Sequence, residues 1–263
     1  MSGRLSRILL RIWMALVLVF LFAPIVIVCL YAFNGSNIQS WPIASFSTKW
    51  FILAWNDAQV REALWLSVRA GLISTAIALL LGSAAAFGVH RYRFFGRETI
   101  SFLVVLPLAL PGIITGVALN SAFSFAGIGL SLTTIIVGHA TFCIVVVYNN
   151  VIARLRRTGT SFVEASQDLG ARPLQTFRFV TLPSLATALV SGALLAFALS
   201  FDEVVVTTFT AGAQNTLPLW IFGAIRLGQH LPEVNVVVIV VLLVTIIPVA
   251  ISSRLAGGGV ARR

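Results

Sequence analysis

The sequence predicts an all-α integral membrane protein with about six transmembrane helices and both termini in the cytoplasm. Three observations predict it. Of 263 residues, 59% are hydrophobic and only 10% charged, with a mean hydropathy of +1.00; an ordinary soluble domain has about 25% charged residues. The apolar residues gather in six stretches, each long enough for a helix of about 20 residues to cross a hydrocarbon core. The arginines fall in the gaps between these stretches, and rich gaps alternate with poor ones. Continuous apolar runs of this length must be helical, because lipid offers the backbone no hydrogen-bond partner.

The first stretch, Ile12–Phe33, follows Arg4, Arg7 and Arg11. It is too long for a signal-peptide core and no small-residue cleavage pattern follows, so it reads as a retained span. The next segment, Asn34–Val60, carries Trp41, Pro42, Trp50, Phe51 and Trp55. Aromatic residues of this kind anchor a segment at the membrane–water interface. The second span, Ala63–Val89, holds Arg69 about two turns from its start. That guanidinium either snorkels outward along its apolar stem or pairs with an acidic group of the pathway.

The third span, Thr99–Asn120, contains Pro107 and Pro111. Each removes an internal hydrogen bond and kinks or breaks the helix. Irregular backbone at membrane depth needs cover from protein or water, so this span is expected to line a pathway; the alternative is a kinked packing helix. The fourth span is Leu130–Ile152 and the fifth Val180–Phe201, which ends on Asp202 and Glu203. An outer loop, mostly uncharged, then carries Gly212, Pro218, Trp220, Phe222 and Pro232 to the sixth span, Val234–Ser252. Gly257–Gly259 and the final arginines read as a frayed tail. The whole of 1–263 is taken as one transmembrane domain, with a short N-terminal segment 1–11, a loop at about 154–178 and a tail at about 254–263.

Orientation follows from the basic residues. One side carries Arg4, Arg7, Arg11, Arg91, Arg93, Arg97, Arg154, Arg156, Arg157, Arg172, Arg178, Arg254, Arg262 and Arg263; the other has Lys49, Arg61 and Arg226. Basic loops stay in the cytoplasm. The same distribution accounts for the net charge of +10 without nucleic acid as a partner. Cys29 and Cys143 lie inside apolar runs and read as packing residues. His90, His139 and His230 are widely scattered and form no ligand cluster in the sequence. No metal site is expected.

The long loop between the fourth and fifth spans is the most informative segment. Ser161 can cap a short helix, with Glu164 three residues on completing a capping box. Phe162, Ala165 and Leu169 then share one face, while Glu164, Gln167 and Asp168 lie on others. Gly170 can end the helix in a left-handed conformation, and Pro173 is expected to prevent it from resuming. Such a helix reads as a solvated connection, except that its apolar face asks for a protein groove.

This stretch resembles the EAA loop of the permease subunits of ABC importers. That pattern is Glu-Ala-Ala, then Gly, then about a dozen residues to an apolar–Pro pair; Glu164, Ala165, Gly170, Leu182 and Pro183 match it in order and Ser166 replaces the second Ala. Ser200–Glu203, Thr207–Gly212 and Thr216–Leu219, together with Leu106-Pro107 and Pro111-Gly112, are similar to the spermidine/putrescine branch. The resemblance implies the type I permease fold in a bacterial inner membrane. It implies a second permease subunit, two ATP-binding subunits and an extracytoplasmic substrate-binding protein. Phe162, Glu164, Ala165, Ser166, Leu169, Gly170, Leu182 and Pro183 would couple the chain to the ATP-binding subunit.

No enzymatic activity is expected of the chain itself. A P-loop needs a lysine after a glycine-rich run, and the single lysine, Lys49, has none before it. ATP and Mg would therefore sit on the partner subunits. Carboxylates at membrane depth usually face a cavity or a partner. Asp202 and Glu203 are read as a negative lining for a cationic cargo, Asp202 foremost, or else as an interfacial pair that ends the helix. Phe201 and Trp220 are candidates for cation–π contact; with Arg69, Pro107 and Pro111 they complete the expected substrate pathway. A different solute (4-aminobutyrate, another amine or a phosphonate) on the same architecture, or a secondary transporter, are the alternatives.

Overall fold

Helices make up most of the described chain, because its apolar runs leave the backbone no other partner. The computed structural model describes residues 2–92, 94–159 and 161–257, with side chains for 6–92, 94–159 and 161–245. Arg93, Arg262, Arg263 and Gly258–Gly259 of the expected tail lie outside the described residues. Among the described residues the only β-type contact is an isolated bridge between Asn34 and Phe46.

The described chain packs as two compact units, Met1–Arg61 with Gly223–Ala250, and Glu62–Phe222 with Ile251–Arg263. In the first, helix α1 (Ser2–Ala32) leads into a loop and helix α2 (Lys49–Asn56). The loop closes on itself: the indole N–H of Trp50 donates to the Asn34 carbonyl at 2.6 Å, and the Phe33 and Phe51 rings lie 5.1 Å apart. Trp50, expected as an interfacial anchor, is 7% exposed and belongs to the core of this unit. Trp41 and Trp55 are exposed.

Helix α3 (Ala58–Arg91) contains the second expected span. The third span is broken, as its prolines lead one to expect, but at one of the two only. It forms two helices, α4 (Arg97–Ala109) and α5 (Gly112–Phe125), bent by 104° at the break. Pro111 causes the break: its ring disfavours helical backbone at the residue before it, and Leu110 is extended with ψ 142°. Pro107 does not break the helix. It lies within the last turn of α4.

Helix α6 (Leu132–Thr158) is the most buried element, with Ile135, His139, Cys143, Val147 and Val151 inside the second unit. It leads to α7 (Ser161–Asp168), α8 (Pro173–Thr176), a π-helical turn (Phe177–Thr181) and α9 (Leu182–Phe201). Helices α10 (Val205–Thr210), α11 (Leu217–Leu227) and α12 (Leu231–Gly257) follow. The segment expected as an outer loop is thus partly helical, and Trp220 and Phe222 lie in α11.

Among the described residues, four helical stretches are long and apolar enough to cross a membrane: Ser6–Ala32, Ala58–Arg91, Leu132–Thr158 and Pro173–Phe201. The bent α4–α5 pair raises the count to five. The expected sixth span lies in α12, whose side chains are described only as far as Thr245.

Candidate functional site

Two places in the second unit carry the residues that the sequence singles out. The first is the connection between α6 and α9. Helix α7 ends at Gly170, whose φ of +83° is left-handed as expected, and the Gly170 and Ala171 N–H groups bond back to Gln167 and Ser166 carbonyls. Two details differ from expectation. Ser161 is already the first helical residue and not the cap before it. Pro173 does not suppress helix but starts α8, because a first-turn position needs no N–H and suits the fixed φ of proline.

The Ser166 and Thr176 hydroxyls lie 3.0 Å apart and hold α7 against α8. This small residue thus has a contact that a second alanine would lack. Phe162 is 65% exposed and Leu169 90%; Glu164, Ala165 and Gly170 are exposed beside them. Among the described residues nothing covers the apolar face of α7. Phe177 does not extend that free face fully, since its ring meets Phe87 of α3 edge-on at 5.6 Å.

The π-helical turn falls immediately before Leu182 and Pro183, both exposed. A proline ring clashes with the carbonyl four residues back in an α-helix. Widening the preceding turn relieves that clash, and the Leu182 N–H accordingly bonds to the Phe177 carbonyl five residues back. Insertions of this kind are common at functional sites. From α6, the Arg154 Nε donates to the Ser184 carbonyl at 2.9 Å and ties the two ends of the connection together.

The second place is the break between α9 and α10. Asp202 caps the C-terminal end of α9 and is exposed. Glu203 is half-buried, and its Oε1 accepts the Val206 N–H at 2.8 Å at the start of α10. The two neighbours therefore differ in duty: Glu203 has a capping bond, whereas Asp202 sits where a helix dipole disfavours an anion. Phe201 packs beside Phe197, ring centroids 5.8 Å apart.

The fold brings the α4–α5 break close to this turn. A Cβ built on Gly112 would lie 3.6 Å from Val205, and one on Gly116 only 2.6 Å from the Phe209 ring. Asn120 donates to the Phe209 carbonyl at 2.7 Å, so α5 runs along α10 and Pro111 stands at the same end. Arg69 takes neither acidic partner. Its guanidinium is exposed and lies 5.7 Å from the Trp65 ring centroid, and among the described residues no ion pair joins it to Asp202 or Glu203. Trp220 is buried within α11.

Sequence reading missed His139. Its ring is 1% exposed, with Nδ1 2.7 Å from the Ser200 hydroxyl and Nε2 2.8 Å from the Thr207 hydroxyl. The signal was a lone imidazole in an apolar run; its partners stand 61 and 68 residues away. In the first unit, His230, Glu233 and Asp57 each place a donor atom within 4.8 Å of the others. The histidines were scattered in sequence, but folding gathers these three groups. Both carboxylates also serve helix starts: Asp57 accepts the Gln59 N–H at 2.7 Å, and Glu233 lies in the first turn of α12.

Comparison with known proteins decides the family. Residues 78–262 match the family "Binding-protein-dependent transport system inner membrane component". The chain belongs to that family. It is 35% identical over 232 residues to the putrescine transport system permease protein PotI of Escherichia coli K12, covering 85% of this chain and 82% of that one. It is 32% identical over 258 residues to the spermidine/putrescine transport system permease protein PotC of the same strain, covering 97% and 96%. Among solved structures, a bacterial ABC transporter that imports the acidic polysaccharide alginate has a chain of the same fold, with TM-score 0.69, 16% identity and 98% and 97% of the chains covered. The chain is thus a multi-pass membrane component of a transport system.

Proposed function

We propose that this chain is the transmembrane subunit of an ATP-driven importer that carries polyamines such as putrescine and spermidine across a bacterial inner membrane. One observation carries the reading: similarity to two polyamine permeases extends over most or nearly all of the chain. The architecture agrees with it. An exposed helix with an apolar face, α7, lies in the connection between two spans, and an acidic turn stands beside a broken helix.

In this reading Phe162, Ala165 and Leu169 enter a groove of an ATP-binding subunit, and Glu164 and Gly170 set the end and angle of the coupling helix. A second permease completes the pathway. Two ATP-binding subunits supply the energy with ATP and Mg, and an external binding protein delivers cargo. The exposed Asp202 carboxylate meets the ammonium groups of the cargo, while Glu203 shapes the turn. Closure of the ATP-binding subunits moves α7 and biases the spans between two arrangements.

The test is ATP-dependent uptake of labelled putrescine and spermidine into vesicles that hold the reconstituted complex. Asp202→Asn is expected to lower uptake about tenfold or more, the size of one lost charge-assisted hydrogen bond, with ATP hydrolysis intact. Glu164→Ala is expected to reduce stimulated hydrolysis and uptake together. A complex that hydrolyses ATP but moves no polyamine would retain the importer and reject the cargo.

A further inference from the structure

The buried imidazole of His139 links the acidic turn to the helix that leads into the coupling connection. Thr207 donates its hydroxyl proton to the Glu203 carbonyl at 2.7 Å. Its oxygen is left to accept from His139 Nε2–H, so Nδ1 is the acceptor for the Ser200 hydroxyl. One neutral ring thereby satisfies both hydroxyls and is itself satisfied on both sides. Ser200 precedes Asp202 by two residues and Thr207 follows Glu203 by four, so the ring spans the acidic break.

The same helix holds the neighbouring segments at further points. Thr134 of α6 donates to the Thr210 carbonyl of α10 at 2.7 Å. The Cys143 thiol donates to the Ala196 carbonyl of α9 at 3.3 Å, and Arg154 reaches Ser184 near the other end. From His139 to Thr158 an α-helix spans roughly 28 Å at 1.5 Å per residue. Helix α6 is therefore tied to the acidic turn at one end and continues toward α7 at the other.

We infer that His139 is a positioning residue: through Ser200 and Thr207 it fixes the Asp202–Glu203 turn to α6, so that displacement of the coupling connection repositions the carboxylate that meets the cargo. A polar group buried at membrane depth is costly unless paired; this ring finds both of its partners, Ser200 and Thr207, in the two segments that flank the acidic break. The inference rests on the reading of Asp202 as a pathway group.

The experiment is a double-mutant cycle in the full reconstituted complex, with KM for spermidine and maximal ATP hydrolysis both measured. His139→Phe is expected to raise KM roughly 3- to 10-fold, the range of a lost hydrogen bond, with hydrolysis per assembled complex unchanged. In an Asp202→Asn background the same substitution is expected to change KM by less than about twofold, because its effect passes through that carboxylate. Thr207→Val breaks the same link with little change of volume and keeps the test open where the first variant does not assemble. Amide exchange of residues 203–208 is followed in parallel and is expected to rise in both variants.

Equal effects of His139→Phe with and without Asp202 would overturn the positioning role and leave a packing role. Unchanged exchange in residues 203–208, with the Asp202→Asn effect intact, would overturn the link alone. An Asp202→Asn complex with wild-type KM would instead remove the pathway reading on which the inference rests, while the exchange data would still report the clamp.

Discussion

Gly82 shows how little room separates two helix backbones. A Cβ there would stand 2.8 Å from the Ile144 carbonyl oxygen and 3.1 Å from the Tyr148 nitrogen, both main-chain atoms that cannot turn aside. Small residues permit this approach in membrane bundles, where close packing takes the place of a hydrophobic drive. Gly82→Ala is expected to destabilise the chain by about 1–3 kcal/mol, the usual cost of overpacking, seen as a lower melting temperature in detergent. A Cβ on Gly88 would meet no described atom beyond its own stretch of helix within 4 Å, so Gly88→Ala is the control and should gain up to about 1 kcal/mol of helix propensity. Equal melting of the two variants would deny the close contact of α3 with α6. Sequence could mark Gly82 only as a small residue in a span, since Ile144 approaches through tertiary packing.

At the scale of the element, α7 was the most legible part of the candidate site. Its apolar spacing, its charged flanks and Gly170 all lie within ten residues, where local rules act. Its start and the helix at Pro173 were misread because capping positions shift by a residue or two with little change in local energy. Phe162→Asp is expected to lower the amount of ATP-binding subunit that co-purifies by about tenfold or more, as loss of a buried apolar anchor does. Gly170→Val is expected to cost about 1–2 kcal/mol by forcing a branched residue into left-handed backbone, and to weaken the same association. Normal co-purification with both variants would show that this face is not the docking element. The α4–α5 pair teaches the complementary lesson. Two prolines looked equivalent in the run, but Pro111 breaks it because Leu110 becomes extended, whereas Pro107 remains inside a helix.

The whole molecule presents an outer surface that only lipid or other subunits can cover, as Val19, Phe20 and Leu80 illustrate. The arginine pattern assigns its two sides, and single cysteines test that assignment. On a Cys29→Ser background, Leu169→Cys is expected to react with a membrane-impermeant maleimide only from the cytoplasmic face, and to be shielded when the ATP-binding subunit is present. Trp41→Cys, at a position 77% exposed, is expected to react only from the opposite face. Labelling of both from one side would overturn the orientation. Cys143 is buried and hydrogen-bonded, so it should add little background.

By itself the sequence determined that the chain is helical, that it lives in lipid, and that the connection between the fourth and fifth spans carries a short amphipathic helix ending at Gly170. Each of these is written in composition or short-range spacing, because lipid demands long apolar helices and a helix face repeats every three to four residues. Only the tertiary structure decided which of the two prolines breaks the third span, the capping duty of Glu203, the separation of Arg69 from the acidic pair, and the burial of Trp50 and Trp220. It alone joined His139 to Ser200 and Thr207, and Asp57 to His230 and Glu233. Those groups lie tens to more than a hundred residues apart, and no local periodicity records a partner at that distance. Hydrogen bonds between buried polar groups are chosen by how helices pack, and packing is a property of the folded whole.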